Sequence, residues 1–209
     1  MSEAKLGAKE RIVREALNLF AKKGFTETSV REIAEAVGIR ASSLYSHFES
    51  KASILDYLLD DYKQYVNSQR PLARCWKRLT QNATAEDIMA CLTLYFPEGE
   101  ADYYRKMVVM LFQEQCRNET VREFMTKDMI LWYEKYITDI LNRLVEVGAL
   151  CPSMDIAFWA SLYANINYSS MARYVLGIGE EEPDFKGKRM EDMKRTLYET
   201  IFRLHGIRT

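Results

Sequence analysis

Residues 29–51, SVREIAEAVGIRASSLYSHFESK, constrain this chain more than any other stretch. They read as two short helices joined at a glycine. Val30, Ile33, Ala34 and Val37 recur at helical spacing, and Ser29 followed three residues later by Glu32 has the form of a capping box that starts the first helix. Gly38 ends it, because glycine enters the left-handed conformation at no steric cost, and Ile39 is then placed to plug the angle between the helices. In the second helix Leu44 and Phe48, four residues apart, share the inner face and leave Ser42, Ser43, Tyr45, Ser46 and His47 on the outer side. An outer face of hydroxyls and an imidazole, with Arg40 beside it and no acid, suits a helix that enters the major groove of DNA.

An amphipathic helix over residues 5–23, then T-S-V-R-E-I-A-E-A-V-G-I, then L-Y-S-H-F-E-S-K, resembles the DNA-binding domain of the TetR family of bacterial transcriptional regulators. The resemblance covers residues 12–58 in detail and the remainder only in length and helical character. It departs at Arg40, where members usually carry Ser or Thr, and at Ser42, where Gly is frequent, so the usual cap of the second helix is missing. The resemblance implies a homodimeric repressor that binds double-stranded operator DNA and is released by a small-molecule effector, expected to be lipophilic or aromatic. Unpaired cysteines and a charged N-terminus point to the cytoplasm, and no membrane span, cofactor or metal is expected. An effector in the body would shift the fourth helix and with it the spacing of two heads that must match half-sites about 34–36 Å apart. Expected base contacts come from Arg40, Ser42, Ser43 and His47, and expected phosphate contacts from Thr28, Tyr45 and Lys51. Thr28 precedes the capped helix, and Lys51 lies in the first turn after Ser50, where an ammonium and a helix N-terminus together attract a phosphate.

Only four prolines and nine glycines punctuate 209 residues rich in helix formers, which points to an all-α fold. Its expected layout is a three-helix DNA-binding head with a helix-turn-helix over residues 1–50 and a larger helical body for effector binding and dimerisation over residues 51–209. The net charge of −1 excludes a basic nucleic-acid coat, yet residues 1–51 hold nine Lys or Arg against seven acids. DNA binding confined to one end fits that distribution. The four cysteines form no C-x-x-C pair and have no His beside them, so neither a zinc site nor a disulfide framework is indicated, and only Cys75, between Arg74 and Lys77, has the cationic neighbours of a redox sensor.

After the head, a fourth helix runs from Ser50 toward Asn67, and helices are expected over 85–96, 100–117, 119–147, 153–176 and 190–205. All methionines except Met1 lie between Met89 and Met193, in a region also rich in aromatics. Such residues are ordinary core, and they are also what adaptable ligand pockets use. Tyr103, Met107, Met110 and Glu114 share one helix face, and with Trp132, Tyr136 and Tyr163 they are the expected effector contacts. Between Asp155 and Arg173 there is no charge at all. A helix so apolar around its circumference must be covered on more than one side. Its Trp159, Ala160, Tyr163 and Ala164, with Leu197, Ile201 and Leu204 of the last helix, are the expected dimer contacts.

Two other functions compete with a ligand-controlled repressor. A DNA-binding protein governed by a protein partner would need no effector cavity. An all-α enzyme would need a reactive constellation, and the sequence offers only His47 and His205 and no nucleophile, phosphate or metal motif, so no catalytic residue is assigned.

Overall fold

A computed structural model describes residues 7–68, 75–92 and 100–176, together with Thr196, Glu199 and Thr200. Among these residues the secondary structure is helical, with no strand, as the composition requires. The chain divides into two compact units, residues 1–66 with 95–125, and residues 67–94 with 126–209. The expected boundary after residue 50 falls inside the first unit.

The first unit begins with α1 (Ala8–Lys23), whose Ile12, Val13, Ala16, Leu17 and Phe20 form its buried face. Helices α2 (Val30–Val37) and α3 (Ala41–Tyr45) follow, then α4 (Lys51–Ser68), with Ile54, Leu55, Leu58, Leu59 and Tyr62 buried. Ser50 caps α4 as expected: its hydroxyl accepts from Ser53 N at 3.1 Å while the Ser53 hydroxyl accepts from Ser50 N at 3.1 Å. After α5 (Ala85–Leu92), which belongs to the second unit, α6 (Ala101–Glu114) returns alongside α1.

Polar ties lock α6 to α1. One guanidinium nitrogen of Arg14 reaches both carboxylate oxygens of Glu100, at 2.9 and 3.0 Å, and Lys106 donates to the Asn18 side chain at 2.8 Å. The Arg14 guanidinium also lies over the Tyr103 ring. Partner numbers rise together along both helices, from Arg14 and Glu100 to Asn18 and Lys106, so α1 and α6 run parallel. Tyr65 stacks on Tyr104 with ring centroids 3.8 Å apart, which ties α4 to the same helix.

A single helix was expected over residues 119–147. The structure instead has α7 (Glu119–Phe124), a π-helical segment Met125–Leu131, and α8 (Trp132–Glu146). No Gly or Pro marks the change, because a π turn differs in which carbonyl each N–H selects and not in residue type. In the second unit α8 packs on α9 (Ile156–Val175), and Tyr133, Tyr136, Ile137, Ile140, Leu141 and Leu144 join Ala160, Tyr163 and Ala164 in one core with Cys75, Leu79, Ile88 and Cys91. The helix expected over 190–205 lies outside the described residues apart from Thr196, Glu199 and Thr200, as do residues 93–96 at the end of the helix expected over 85–96.

Candidate nucleic-acid interface

The helix-turn-helix is assembled by short-range bonds that its own sequence supplies. Ser29 Oγ accepts from Glu32 N at 3.2 Å and the Glu32 carboxylate accepts from Ser29 N at 2.8 Å, which completes the capping box. Lys23 pairs with the same carboxylate. Together the Lys23 ammonium and the Ser29 donors hold the Glu32 pKa at about 2, well below the usual carboxylate range. At the other end of α2, Gly38 has φ +75°, and Ile39 N donates to Ala34 O at 2.9 Å while Gly38 N donates to Glu35 O at 3.1 Å. This is a Schellman closure, and it turns the chain straight into α3.

Leu44 and Phe48 are buried and fix the roll of α3. Arg40, Ser42, Ser43, Tyr45 and His47 are consequently all exposed, Tyr45 at 54%. They form one continuous outward face that carries hydroxyl, phenol, imidazole and guanidinium groups. Arg40 stands at the N-cap of α3 without a side-chain capping bond, in line with the departure from the family pattern there. The helix is shorter than the spacing of Leu44 and Phe48 implies, because Ser46 Oγ turns back to donate to Ser43 O at 2.7 Å.

Two expected phosphate contacts are corrected. Thr28 is 1% exposed, and its hydroxyl donates to Gly24 O at 2.8 Å, closing the turn between α1 and α2. Lys51 faces the same turn: Nζ donates to Phe25 O at 2.7 Å, Thr28 O at 2.7 Å and Thr26 O at 3.2 Å, and it sits 4.4 Å from the Phe25 ring centroid. An ammonium has three donors, and main-chain carbonyls take all three. Burial pulls the Lys51 pKa below the ordinary lysine value, against the opposing charges of Glu114, Glu27 and Glu32. Thr28 is enclosed in this turn, and half-buried Lys51 is bonded to it.

The expected effector residues fall in separate units. Met107 and Met110 are fully buried in the first unit, where the Tyr103 hydroxyl donates to Asp61 at 3.0 Å. Burial, and then the Asp61 charge, push the Tyr103 phenol pKa up. Glu114 is corrected: its Oε1 accepts from Phe25 N at 2.8 Å, so the carboxylate serves the α1–α2 turn, and it is bonded to neither a ligand-facing group nor Arg117. In the second unit Trp132 stacks on Tyr136 at 5.3 Å, Tyr136 meets Tyr133, and Tyr133 meets Tyr163 at 6.0 Å, so Trp132, Tyr136 and Tyr163 belong to one aromatic group. Tyr136 donates to Cys91 O at 2.8 Å and lies 3.4 Å from Cys75 Sγ. Cys75 is buried there, which removes it from the exposed setting that a redox sensor needs.

The expected dimer face of α9 is also corrected. Ala160, Tyr163 and Ala164 are buried in this chain's own core, and Trp159 packs against it, because the small residues let α8 approach closely. The exposed side of α9 is a different stripe, with Phe158 at 56%, then Asn165 and Ser169, and Leu176 at 70% just past the helix end. Leu197, Ile201 and Leu204 lie outside the described residues. Sequence reasoning missed Arg14, Asn18, Asp61, Glu100 and Lys106 altogether. Their partners lie 42 to 88 residues away, and no local pattern announces such pairs.

Among the described residues no group of three or more His, Cys, Asp or Glu is suited to a metal, and no helix is long and apolar enough to cross a membrane. Residues 12–58 match the family described as bacterial regulatory proteins, tetR family. The HTH-type transcriptional repressor KstR2 of Rhodococcus jostii is 43% identical over 165 residues, covering 74% of each chain. The fold is shared by the fatty acid degradation regulator FadR of Bacillus halodurans, with a TM-score of 0.63 at 17% identity, covering 98% of this chain and 99% of that one. It is shared too by the ketosteroid transcriptional regulator KstR2 of Mycobacterium tuberculosis, with a TM-score of 0.61 at 18% identity over 95% of both chains. An N-terminal helix-turn-helix with an exposed polar face, on an all-helical chain similar to these regulators over most of its length, places the protein in the tetR family of bacterial regulatory proteins, DNA-binding transcriptional regulators that respond to ligands.

Proposed function

We propose that the chain is a homodimeric repressor that reads operator DNA with the outer face of α3 and is released by a small lipophilic effector. The observation that carries the reading is the α3 face: Leu44 and Phe48 are inside, while Arg40, Ser42, Ser43, Tyr45 and His47 are all outside. Base contacts come from Arg40, Ser42, Ser43 and His47, and Tyr45 reaches the backbone beside them. The exposed stripe of α9, which runs through Phe158, Asn165 and Ser169 to Arg173, is the surface for a second copy, which sets two reading helices at the spacing of two half-sites.

Two of the similar proteins are described as regulators of fatty acid degradation and of ketosteroids, which favours a lipophilic effector for this chain also. The aromatic group around Trp132, Tyr136 and Tyr163 in the second unit supplies apolar surface for it. The test is selection of duplexes from a random pool by the purified protein, followed by titration of the selected duplex against panels of fatty acids and steroids. A palindromic consensus and a compound that weakens binding about 5- to 150-fold are expected. A pool with no enriched sequence would overturn the reading of α3, and a selected duplex insensitive to every lipophilic compound would overturn the effector class.

A further inference from the structure

Glu114, the last residue of α6, is 3% exposed, and its carboxylate reaches beyond its own helix to the α1–α2 turn. Oε1 accepts from Phe25 N at 2.8 Å, across 89 residues of sequence. Oε2 is buried without a hydrogen bond. On the other side of the same residue, Phe25 O accepts from the Lys51 ammonium at 2.7 Å. Phe25 is thus gripped by a carboxylate from α6 at its N–H and by an ammonium from α4 at its carbonyl. Gly24 makes room for this grip. A Cβ there would stand 3.0 Å from Glu114 Oε1, at a backbone φ of +93° that side chains rarely adopt. The gripped turn is what sets the entry of α2, and α2 carries α3 through the closure at Gly38.

We infer that Glu114 is a positioning residue for DNA reading, through which the end of α6 holds the α1–α2 turn and so the angle at which α3 is presented. The inference rests on α3 as the reading helix. It deepens that reading by naming the contact through which the helix bearing Tyr103, Met107 and Met110 acts on the interface. A carboxylate acceptor on a part-buried main-chain donor is among the stronger hydrogen bonds, and an N–H shielded from water and left without a partner is costly, so movement of α6 away from the turn changes the turn.

The test uses the full-length protein, a duplex selected by the wild type from a random pool, and a scrambled duplex of the same length. Glu114→Ala is expected to lose about tenfold or more in affinity for the selected duplex, with affinity for the scrambled duplex and its salt slope unchanged. Glu114→Gln keeps a carbonyl acceptor for Phe25 N–H, and it is expected to restore most of the loss. The Phe25 amide proton reports the bond directly by NMR: it should lie downfield in the wild type, shift modestly in the Gln variant and move to an ordinary position in the Ala variant. Equal affinities of all three proteins for the selected duplex would overturn the inference while leaving α3 as the reading helix. Parallel loss on both duplexes, with Glu114→Gln no better than Glu114→Ala, would also overturn it by showing a general role in folding. Failure of the wild type to select any duplex would instead bring down the DNA-reading function, with the Phe25 amide shift still reporting the bond.

Discussion

Helices α3 and α9 both carry apolar residues at helical spacing, and the structure treats them differently. In and just after α3, Leu44 and Phe48 stand among polar residues, and both point inward. In α9 apolar and small residues occupy every side, and the side that turned inward is the one that was expected to face a second subunit. Contrast between faces, and not apolarity itself, tells a helix which way to roll. Where the contrast is absent, neighbours decide, and the small side chains of Ala160 and Ala164 were taken up by α8 of the same chain.

The sharpest way to break this comparison is a charge on each side of α9. Ala164→Arg buries an unpartnered guanidinium in the core of the second unit and should cost about 3 kcal/mol or more, seen as a lower denaturant midpoint or failure to fold. Asn165→Arg, one residue on and exposed, should leave folding intact and convert a dimer to a monomer in sedimentation. If Ala164→Arg folds normally and only dissociates the dimer, the roll of α9 is wrong.

For α3, the comparison is sharpened by two cations for which the sequence predicts DNA contacts, Arg40 to bases and Lys51 to phosphate. Arg40→Ala should reduce affinity for the selected duplex by about 1–3 kcal/mol if it reads a base. Where it also neutralises one phosphate per protomer, the slope of log K against log salt should flatten by roughly 1.8 per dimer. Lys51→Ala should weaken binding without flattening that slope, since the three carbonyls that hold its ammonium would still lie beneath the interface. A flatter slope for Lys51→Ala would return that residue to the DNA surface.

The smallest effect concerns the start of α2. Ser29→Ala removes a capping acceptor and should destabilise the protein by about 1 kcal/mol at neutral pH. Glu32 drops from an ordinary 4.5 to about 2 in the fold, so its stabilisation is complete above pH 4.5 and is lost as the pH falls toward 2. Because Ser29 contributes to that depression, the deficit of the Ala variant should shrink across the same window. Urea unfolding at pH 7, 4 and 2.5 reads it, and a constant deficit would mean that the cap acts through Ser29 Oγ alone.

How far the sequence could be read follows from the reach of each interaction. The capping box, the glycine closure and the roll of α3 depend on partners within about five residues, and the sequence displays them. Thr28 and Lys51 carry donors of a phosphate-binding type in the right motif, but the competitors for those donors, the carbonyls of Gly24, Phe25, Thr26 and Thr28, are visible only once α1 and α4 are placed. Arg14 with Glu100 and Glu114 with Phe25 lie further still from any local signal. The expected effector set mixed residues of two units for the same reason: periodicity places a side chain on a face of its own helix and says nothing of which core that face joins.

The π segment Met125–Leu131 bears on how mutations in this region will behave. It begins at the last residue of the first unit and runs into the second, within one unbroken helical run. Counting in steps of 3.6 from Val121 and Phe124 therefore fails to predict the inward positions of α8, because each i+5 bond adds a residue to the turn. Removing one residue between 125 and 131 would let the segment relax to an ordinary α-helix and rotate the two apolar stripes by roughly 100° against each other. Alignments of relatives through this stretch should accordingly be anchored separately on each side, and a one-residue gap there would signal a change of phase and not the loss of a helix.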